Sequence, residues 1–343
     1  MIKNITFNSN IETCESVVEP LLLSLKEEDL LVFSPASLKL VGNAAAIKAT
    51  MLDSTTVGII KNEIDLFSKN KNFKKVVSLG NGKTTDVAKY IASVLEIDLI
   101  SIPAAFTTNV FFTNKVCLLD SGCKRTFPAK IPDKIIVDFN LLEKTPFKYH
   151  LYGLCDVLSI HTALFDWRLS ACKKSECLDR FLYCFAEFIL KQLILNKKEI
   201  LRKDRASLEL IIKLLMFSGY ITNIAGCGRP ESGSEHIIAS FIEKEIDTFH
   251  AVAVTAGILI AMKLQKNQNK VILSMLSDLG LLDALTNDDR VLKNLYNLPG
   301  EIKPREDRYT ILNTKNINED LIRGAIMLLK KTKNSSFNKK VLI

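Results

Sequence analysis

The sequence predicts an α/β N-terminal domain, doubly wound around a mostly parallel sheet, followed by an all-α C-terminal domain. Three observations carry this expectation. Short apolar runs bounded by turn residues alternate with helical periodicity from about Asp29 to Asp138, which is how strand–helix units feed a parallel sheet. After Pro146 the strand-like runs vanish, and Leu, Ile and Phe recur at three- and four-residue spacing between charges, as on amphipathic helices. At 343 residues the chain is too long for one small core. Two domains are therefore expected, 1–146 and 147–343.

Asp29–Phe33 reads as the first buried strand, Ser34-Pro35-Ala36-Ser37 as its turn, and Leu38–Met51 as a helix. Thr56–Ile60 reads as a second strand, followed by a helix over 63–69. Lys75–Leu79 is a third strand, running through Gly80-Asn81-Gly82 into helical periodicity that lasts to about Leu95. Asp98–Ile102 and Lys134–Val137 complete the strands, ending at Pro103 and Asp138. Helices are expected at 150–171, 178–195, 206–224, 234–245, 249–265, 268–282, 288–296 and 317–331, with Thr332–Ile343 as a loose tail. The sequence contains neither an internal repeat nor a low-complexity segment.

Composition narrows the function classes. Apolar residues make up 48% and charged residues 24%, a globular balance. The longest uncharged apolar run, Ala251–Met262, is too short to span a bilayer. No basic segment followed by an apolar run and cleavage site opens the chain, so no signal peptide is expected. Eight scattered cysteines form no Cys-x-x-Cys pair, which suits reduced thiols in a cytoplasmic protein. The net charge of +8 comes from basic loops such as Lys69–Lys75, which read as solvated faces, and no basic patch is interleaved with exposed aromatics. Nucleic acid is therefore not the expected partner, and a phosphorylated small molecule is a simpler use of the positive field.

Gly80-Asn81-Gly82 sits between a strand and a helix. Glycines there let the backbone turn tightly and approach a ligand, and the exposed amides of the following helix favour phosphate. Lys83, Thr84, Thr85 and Asp86 continue the element. Its spacing is neither the Rossmann fingerprint nor a Walker loop. Thr107, Thr108 and Asn109 follow the next strand, at the carboxyl edge where open α/β sheets bind ligands. The chain has four histidines, and His236 and His250 lie in one polar stretch fourteen residues apart. Imidazole pairs hold zinc, iron or nickel when a third ligand completes the set. Asp156, at a helix start, is the best candidate for the third ligand; His161 lies about 140° round the helix from it and should point elsewhere. The plainer roles are a strand-to-helix turn for the glycines, a helix-start position for His236 and core packing for His250.

Leu79-Gly-Asn-Gly-Lys-Thr-Thr-Asp-Val-Ala-Lys89 resembles the Gly-Gly-Gly-x-x-x-Asp-x-Ala-Lys element of the iron-containing alcohol dehydrogenase and dehydroquinate synthase superfamily. Arg229-Pro-Glu-Ser-Gly-Ser-Glu-His236, Gly153-x-x-Asp156 and Asp166-Trp167 resemble its sn-glycerol-1-phosphate dehydrogenase branch. The motifs keep the family's order from about residue 28 to 265. The resemblance implies a dehydroquinate synthase-like fold with the site in the cleft between domains, and an assembly of identical chains. It implies NAD(P) with its pyrophosphate at Gly80–Lys83, and one divalent metal, zinc foremost with iron or nickel as alternatives, on Asp156, His236 and His250. Dihydroxyacetone phosphate and glycerol 1-phosphate would be the substrate pair. Four positions depart from the family pattern: Asn81 for the middle glycine, Asn109 for a substrate-contacting aspartate, Ala251 for the glycine after the last ligand, and Phe241 for a histidine.

Three other functions share these features: oxidation of an unphosphorylated polyol as in glycerol dehydrogenases, a dehydroquinate synthase-like cyclisation without net NADH turnover, and nucleotide binding without catalysis. A final expectation concerns the adenosine ribose. The turn after the first strand carries Ser34 and Ser37 with Lys39 beyond, and no carboxylate nearby. Such a turn should accept NADPH at least as well as NADH.

Overall fold

Parallel pairing is what the alternating runs require, and the computed structural model shows it. Residues 10–57, 60–69, 71–174, 176–305 and 308–340 are described. The chain forms two compact units, 1–150 and 151–343.

The first unit contains strands β1 (Asn10–Cys14), β2 (Asp29–Phe33), β3 (Thr50–Asp53), β4 (Lys75–Gly80), β5 (Asp98–Pro103), β6 (Lys115–Asp120), β7 (Cys123–Pro128) and β8 (Lys134–Asp138). Six of them make one sheet in the order β1-β8-β5-β4-β2-β3, and β6 and β7 form a separate two-stranded sheet. Every neighbour in the large sheet is parallel. Its helices are α1 (Val18–Leu23), α2 (Pro35–Leu38), α3 (Ser54–Val57), α4 (Lys61–Ser68), α5 (Gly82–Leu95) and α6 (Phe139–Glu143). The central strands are buried on both faces. Val76, Ile91 and Leu99 lie in one core layer, and Leu31, Val77 and Ile102 in the other. Register aligns Phe33 with Leu79 and with Asp53, and Gly80 with Pro103. The carboxyl ends of β3, β2, β4 and β5 therefore lie side by side.

Several expected boundaries move. The strand expected at Thr56–Ile60 is instead β3, which ends where Asp53 Oδ1 accepts from Thr55 N at 2.8 Å and starts α3. Residues 58 and 59 lie outside the described residues. The helix expected over Leu38–Met51 stops at Leu38, and Gly42-Asn43 leads into a 3-10 turn at Ala44–Ala46. β1 joins the edge beyond β8. There Asp138 accepts from Ser16 N, Val17 N and Val18 N as well as from Asn140 N and Leu141 N, so one carboxylate caps two helix starts. The β6–β7 hairpin turns on Ser121 and Gly122, both at positive φ.

The second unit is helical as expected: α7 (Lys148–Lys174), α8 (Arg180–Leu195), α9 (Lys197–Ile200), α10 (Arg205–Ala225), α11 (Ser234–Glu245), α12 (His250–Gln265), α13 (Lys270–Asp278), α14 (Leu281–Thr286), α15 (Asp289–Asn294) and α16 (Glu319–Lys340). α16 continues through residue 340, so most of the expected tail is helix; 341–343 lie outside the described residues. α12 is buried almost all round, which explains its uninterrupted apolar run. Among the described residues α10 alone is long and apolar enough to cross a membrane. Its Ile211, Leu215 and Ile221 are fully buried within the helical unit, as in a core helix.

Candidate functional site

α11 and α12 each start with a histidine in the first turn, and their close packing brings those turns together. Gly257 makes it possible: a Cβ there would lie 2.2 Å from Glu235 O, the α11 backbone. The rings of His236 and His250 are consequently 5.6 Å apart, centroid to centroid. α7 supplies the third group. Its buried Cys155 bonds Ala251 O and Thr255 Oγ1, each at 3.5 Å, fixing α7 against the first turns of α12. The next residue, Asp156, presents Oδ1 3.4 Å from His250 Nε2 and 3.8 Å from His236 Nε2. The ligand atoms of Asp156, His236 and His250 all lie within 4.8 Å of one another.

Each imidazole is oriented by a second carboxylate. His236 Nδ1 is 2.9 Å from Glu235 Oε1, and His250 Nδ1 is 3.0 Å from Glu243 Oε1. With each Nδ1–H donated to its glutamate, both Nε2 atoms face Asp156. Carboxylate–histidine pairs of this kind orient metal-ligating imidazoles. Glu235 is itself held by Thr162 Oγ1 at 2.8 Å and Gly233 N at 2.5 Å.

Electrostatics shows what the trio demands. Burial works to raise the Asp156 pKa, but His236 and His250 outweigh it and hold the carboxyl well below its usual range. Burial likewise opposes charge on His236, yet Asp156 and Glu235 push its pKa up to about 9. For His250, burial is again overcome, by Glu243 and Asp156, and the pKa rises to about 10. Asp156 Oδ1 is buried and accepts no hydrogen bond that meets normal geometry. A buried acceptor flanked by two oriented imidazoles calls for a cation, either protons or a metal that displaces them. The donor set, one carboxylate and two imidazoles, fits a divalent metal with an open position.

The other two histidines are structural. His150 is fully buried, accepts from Phe106 N through Nδ1 at 3.3 Å, and donates from Nε2 to Leu142 O at 3.2 Å. His161 contacts Asn267 O at 2.9 Å, away from the trio. Asp166 also holds structure, accepting from Ser234 N at 2.7 Å and Ile311 N at 2.8 Å. Arg229, beside the metal loop in sequence, would be a natural partner for a substrate phosphate. It is instead buried, in a two-point pair with Glu176, and it also donates to Ser170 Oγ and Tyr309 O. A guanidinium committed to four acceptors holds its loop in place.

In the first unit, β4 runs into α5 at Gly80-Asn81-Gly82. Neither glycine has positive φ, so their value there is space. A Cβ on Gly82 would sit 3.4 Å from Thr108 Oγ1 and 3.9 Å from Thr107 Oγ1, so the loop faces both threonines. The first helical bond is Thr85 N to Asn81 O, and the Asn81 side chain caps nothing. Gly82, Lys83 and Thr84 form the first turn of α5, and Asn81 Oδ1 and Thr85 Oγ1 are buried without partners. These features fit a dinucleotide's pyrophosphate. Thr84 Oγ1 bonds Ser54 Oγ at 2.9 Å, and Asp86 sits one turn on, beside Lys89. Asn109 is buried and opens the 3-10 turn Val110–Phe112.

Ser34 caps α2: its Oγ accepts from Ser37 N at 3.3 Å and lies 2.7 Å from Ser37 Oγ. The expectation of no carboxylate near that turn needs correcting. Asp53, far away in sequence, is in register beside Phe33, with Oδ1 bonded to Thr55 N and Oγ1. Glu235 was visible as a neighbour of His236, but Glu243 as the partner of His250 was missed. Its signal was a spacing of seven residues, too generic to stand out.

Known proteins extend this picture. The fold is that of glycerol dehydrogenases and iron-containing alcohol dehydrogenases. A probable glycerol dehydrogenase from Sinorhizobium meliloti matches at TM-score 0.68 and 18% identity, covering 96% of this chain and 98% of its own. The glycerol dehydrogenase of Schizosaccharomyces pombe matches at TM-score 0.69 and 16% identity, covering 98% and 92%. The family described as iron-containing alcohol dehydrogenase matches residues 35–146. In sequence, the glycerol-1-phosphate dehydrogenase [NAD(P)+] of Aeropyrum pernix is 30% identical over 75% of this chain and 73% of its own. The Methanocorpusculum labreanum enzyme of the same name is 26% identical over 92% and 86%. The chain belongs to the glycerol-1-phosphate dehydrogenase family, within the iron-containing alcohol dehydrogenases.

Proposed function

We propose that this chain is an NAD(P)-linked, metal-dependent dehydrogenase that interconverts dihydroxyacetone phosphate and glycerol 1-phosphate. The observation that carries the reading is the trio Asp156, His236 and His250, with both imidazoles oriented by glutamates. Family membership supplies the substrate class. Asp156, His236 and His250 hold the metal, and their donor set favours zinc, with iron or nickel as alternatives. Gly80, Asn81, Gly82, Lys83 and Asp86, with Thr107 and Thr108, take the nucleotide, and Ser34 lies toward its ribose. When bound, the metal supplies Lewis-acid polarisation of the substrate oxygens, and NAD(P) supplies or accepts hydride at carbon.

The chain's own groups do the rest. Glu235 and Glu243 keep both Nδ1 atoms as donors, so each Nε2 stays available as a ligand. Asn109 orients substrate by hydrogen bonds and takes up no proton, because an amide is not a base. The seven described cysteines are free thiols, which suits a reducing cytoplasm. One observation favours a second reading: Arg229, the cation nearest the metal loop in sequence, is occupied by Glu176. That leaves room for an unphosphorylated polyol.

The deciding experiment is metal analysis of the purified protein with NADH and NADPH oxidation assays. Oxidation driven by dihydroxyacetone phosphate far more efficiently than by dihydroxyacetone supports the proposal. Equal efficiency favours the polyol reading. No net oxidation by either, with metal and nucleotide bound, refutes both.

A further inference from the structure

Lys89 lies within α5 and is completely buried. Its Nζ donates to Val110 O at 2.9 Å, Thr113 O at 2.7 Å, Thr113 Oγ1 at 3.2 Å and Lys115 O at 2.7 Å. Three of these acceptors are backbone carbonyls, which the three N–H donors of an ammonium satisfy together, against burial that pushes its pKa down to about 7. A buried cation is costly unless polar or oppositely charged groups surround it, and Asp86 lies beside this one. Here the chain from Val110 to Lys115 wraps round it.

That segment directly continues Thr107-Thr108-Asn109. At its other end Ala104 N donates to Gly80 O at 3.1 Å. Between these two attachments the threonines face Gly82, with Thr108 Oγ1 3.4 Å from where a Cβ would stand. α5 therefore touches the same loop twice, at its first turn through the nucleotide-loop glycine and two turns later through Lys89.

We infer that Lys89 is a positioning residue for the nucleotide: by gripping residues 110–115 it sets the width of the slot between Gly82 and Thr107–Thr108. The inference rests on the proposed NAD(P) role of that loop. The ammonium touches neither substrate nor cofactor and acts through the loop it holds. Lys89→Met keeps the length of the side chain and removes every donor, leaving the carbonyls of Val110, Thr113 and Lys115 to find other partners.

The test is NADH and NADPH affinity, by fluorescence titration of the full-length protein well below its melting temperature, with metal content measured alongside. Lys89→Met should bind nucleotide roughly tenfold more weakly or worse, with metal content unchanged. KM for nucleotide should rise more than kcat falls. A role confined to packing lowers the melting temperature and leaves the affinity of the folded protein alone, so affinity within twofold of wild type overturns the inference. If Lys89→Met does not fold, Thr113→Val decides, since it removes the hydroxyl that accepts from Lys89 and itself bonds the loop carbonyls, while leaving the three carbonyl acceptors of Lys89 in place. It should weaken nucleotide binding in the same direction by a smaller factor, and unchanged affinity overturns the inference. Wild-type protein that binds no nucleotide counts against the proposed function and not against the clamp.

Discussion

Gly257 is the position where one methyl group should separate the metal site from its fold. A Cβ there would stand 2.2 Å from Glu235 O and 2.9 Å from Glu235 C. A carbon–oxygen contact relaxes at about 3.3 Å, so Gly257→Ala requires roughly 1 Å of separation between α11 and α12. Backbone atoms cannot rotate away as a side-chain tip can. Overpacking of this kind costs about 1–3 kcal/mol, and for a unit the size of the helical one each kcal/mol lowers the melting temperature by roughly 2–4 °C. The more telling effect is on the metal. His236 lies on α11 and His250 on α12, and metal ligands tolerate errors of only about 0.2 Å. A shift near 1 Å should weaken metal affinity at least as much as losing an orienting partner does, about 10- to 100-fold. Competition against a chromophoric chelator measures the affinity, and a thermal melt measures the stability. A folded Gly257→Ala protein that binds metal as tightly as wild type would refute the idea that this contact sets the distance between the histidines.

Four further outcomes are expected. His236→Ala should lose tight metal binding and activity while keeping the helical fold, and full metal content by elemental analysis would sink the ligand assignment. Gly82→Val should fold, because a Cβ there meets only ordinary contacts, yet block NAD(P)H binding; unchanged titration would reduce the loop to a turn. Ser34→Asp should keep α2 intact, since aspartate caps helices as well as serine, and weaken NADPH by about 1–3 kcal/mol with little change for NADH; intact NADPH affinity would move the ribose pocket elsewhere. The last outcome concerns pH. Burial holds the His150 pKa down to about 4, below its unfolded value of about 6.5, so the unfolded chain binds the extra proton. Stability from this site is therefore complete above the unfolded pKa and declines as pH falls toward 4, by up to about 1.4 kcal/mol per pH unit. Urea midpoints for His150→Gln should show a shallower acid slope than wild type, and parallel slopes would contradict the reasoning.

What the sequence made legible was whatever rests on local pattern or on rare residues. The helical unit was readable because amphipathic periodicity is local: α8 buries Leu182, Ala186, Ile189 and Leu193 at four-, three- and four-residue spacing. The central strands were readable because they are buried on both faces and so uniformly apolar. Edge elements lack that signature. β1 is Asn-Ile-Glu-Thr-Cys with no residue fully buried, and β3 buries only Leu52. Their pairing comes from the partner strand, which no short window contains. The β6–β7 hairpin was announced by Ser121-Gly122, a two-residue turn of the favoured kind, yet the flanking Lys, Asp and Arg hide its alternation.

The same division runs through the site. Asp156, His236 and His250 were found because histidine is scarce in this chain and each lies in a distinctive motif. Glu243 and Lys89 belong to residue types that ordinarily cover surfaces, and only folding reveals that one orients an imidazole and the other is wholly buried. Arg229 erred in the opposite direction. An arginine beside a metal loop invites a phosphate, but its partner Glu176 lies 53 residues upstream, and no sequence window joins them. The consequence for substrate choice is concrete. With Arg229 committed, recognition of a phosphate must fall to cations that proximity in sequence does not mark. The comparison of dihydroxyacetone phosphate with dihydroxyacetone thus tests the whole site, and mutating Arg229 would report mainly on its fold.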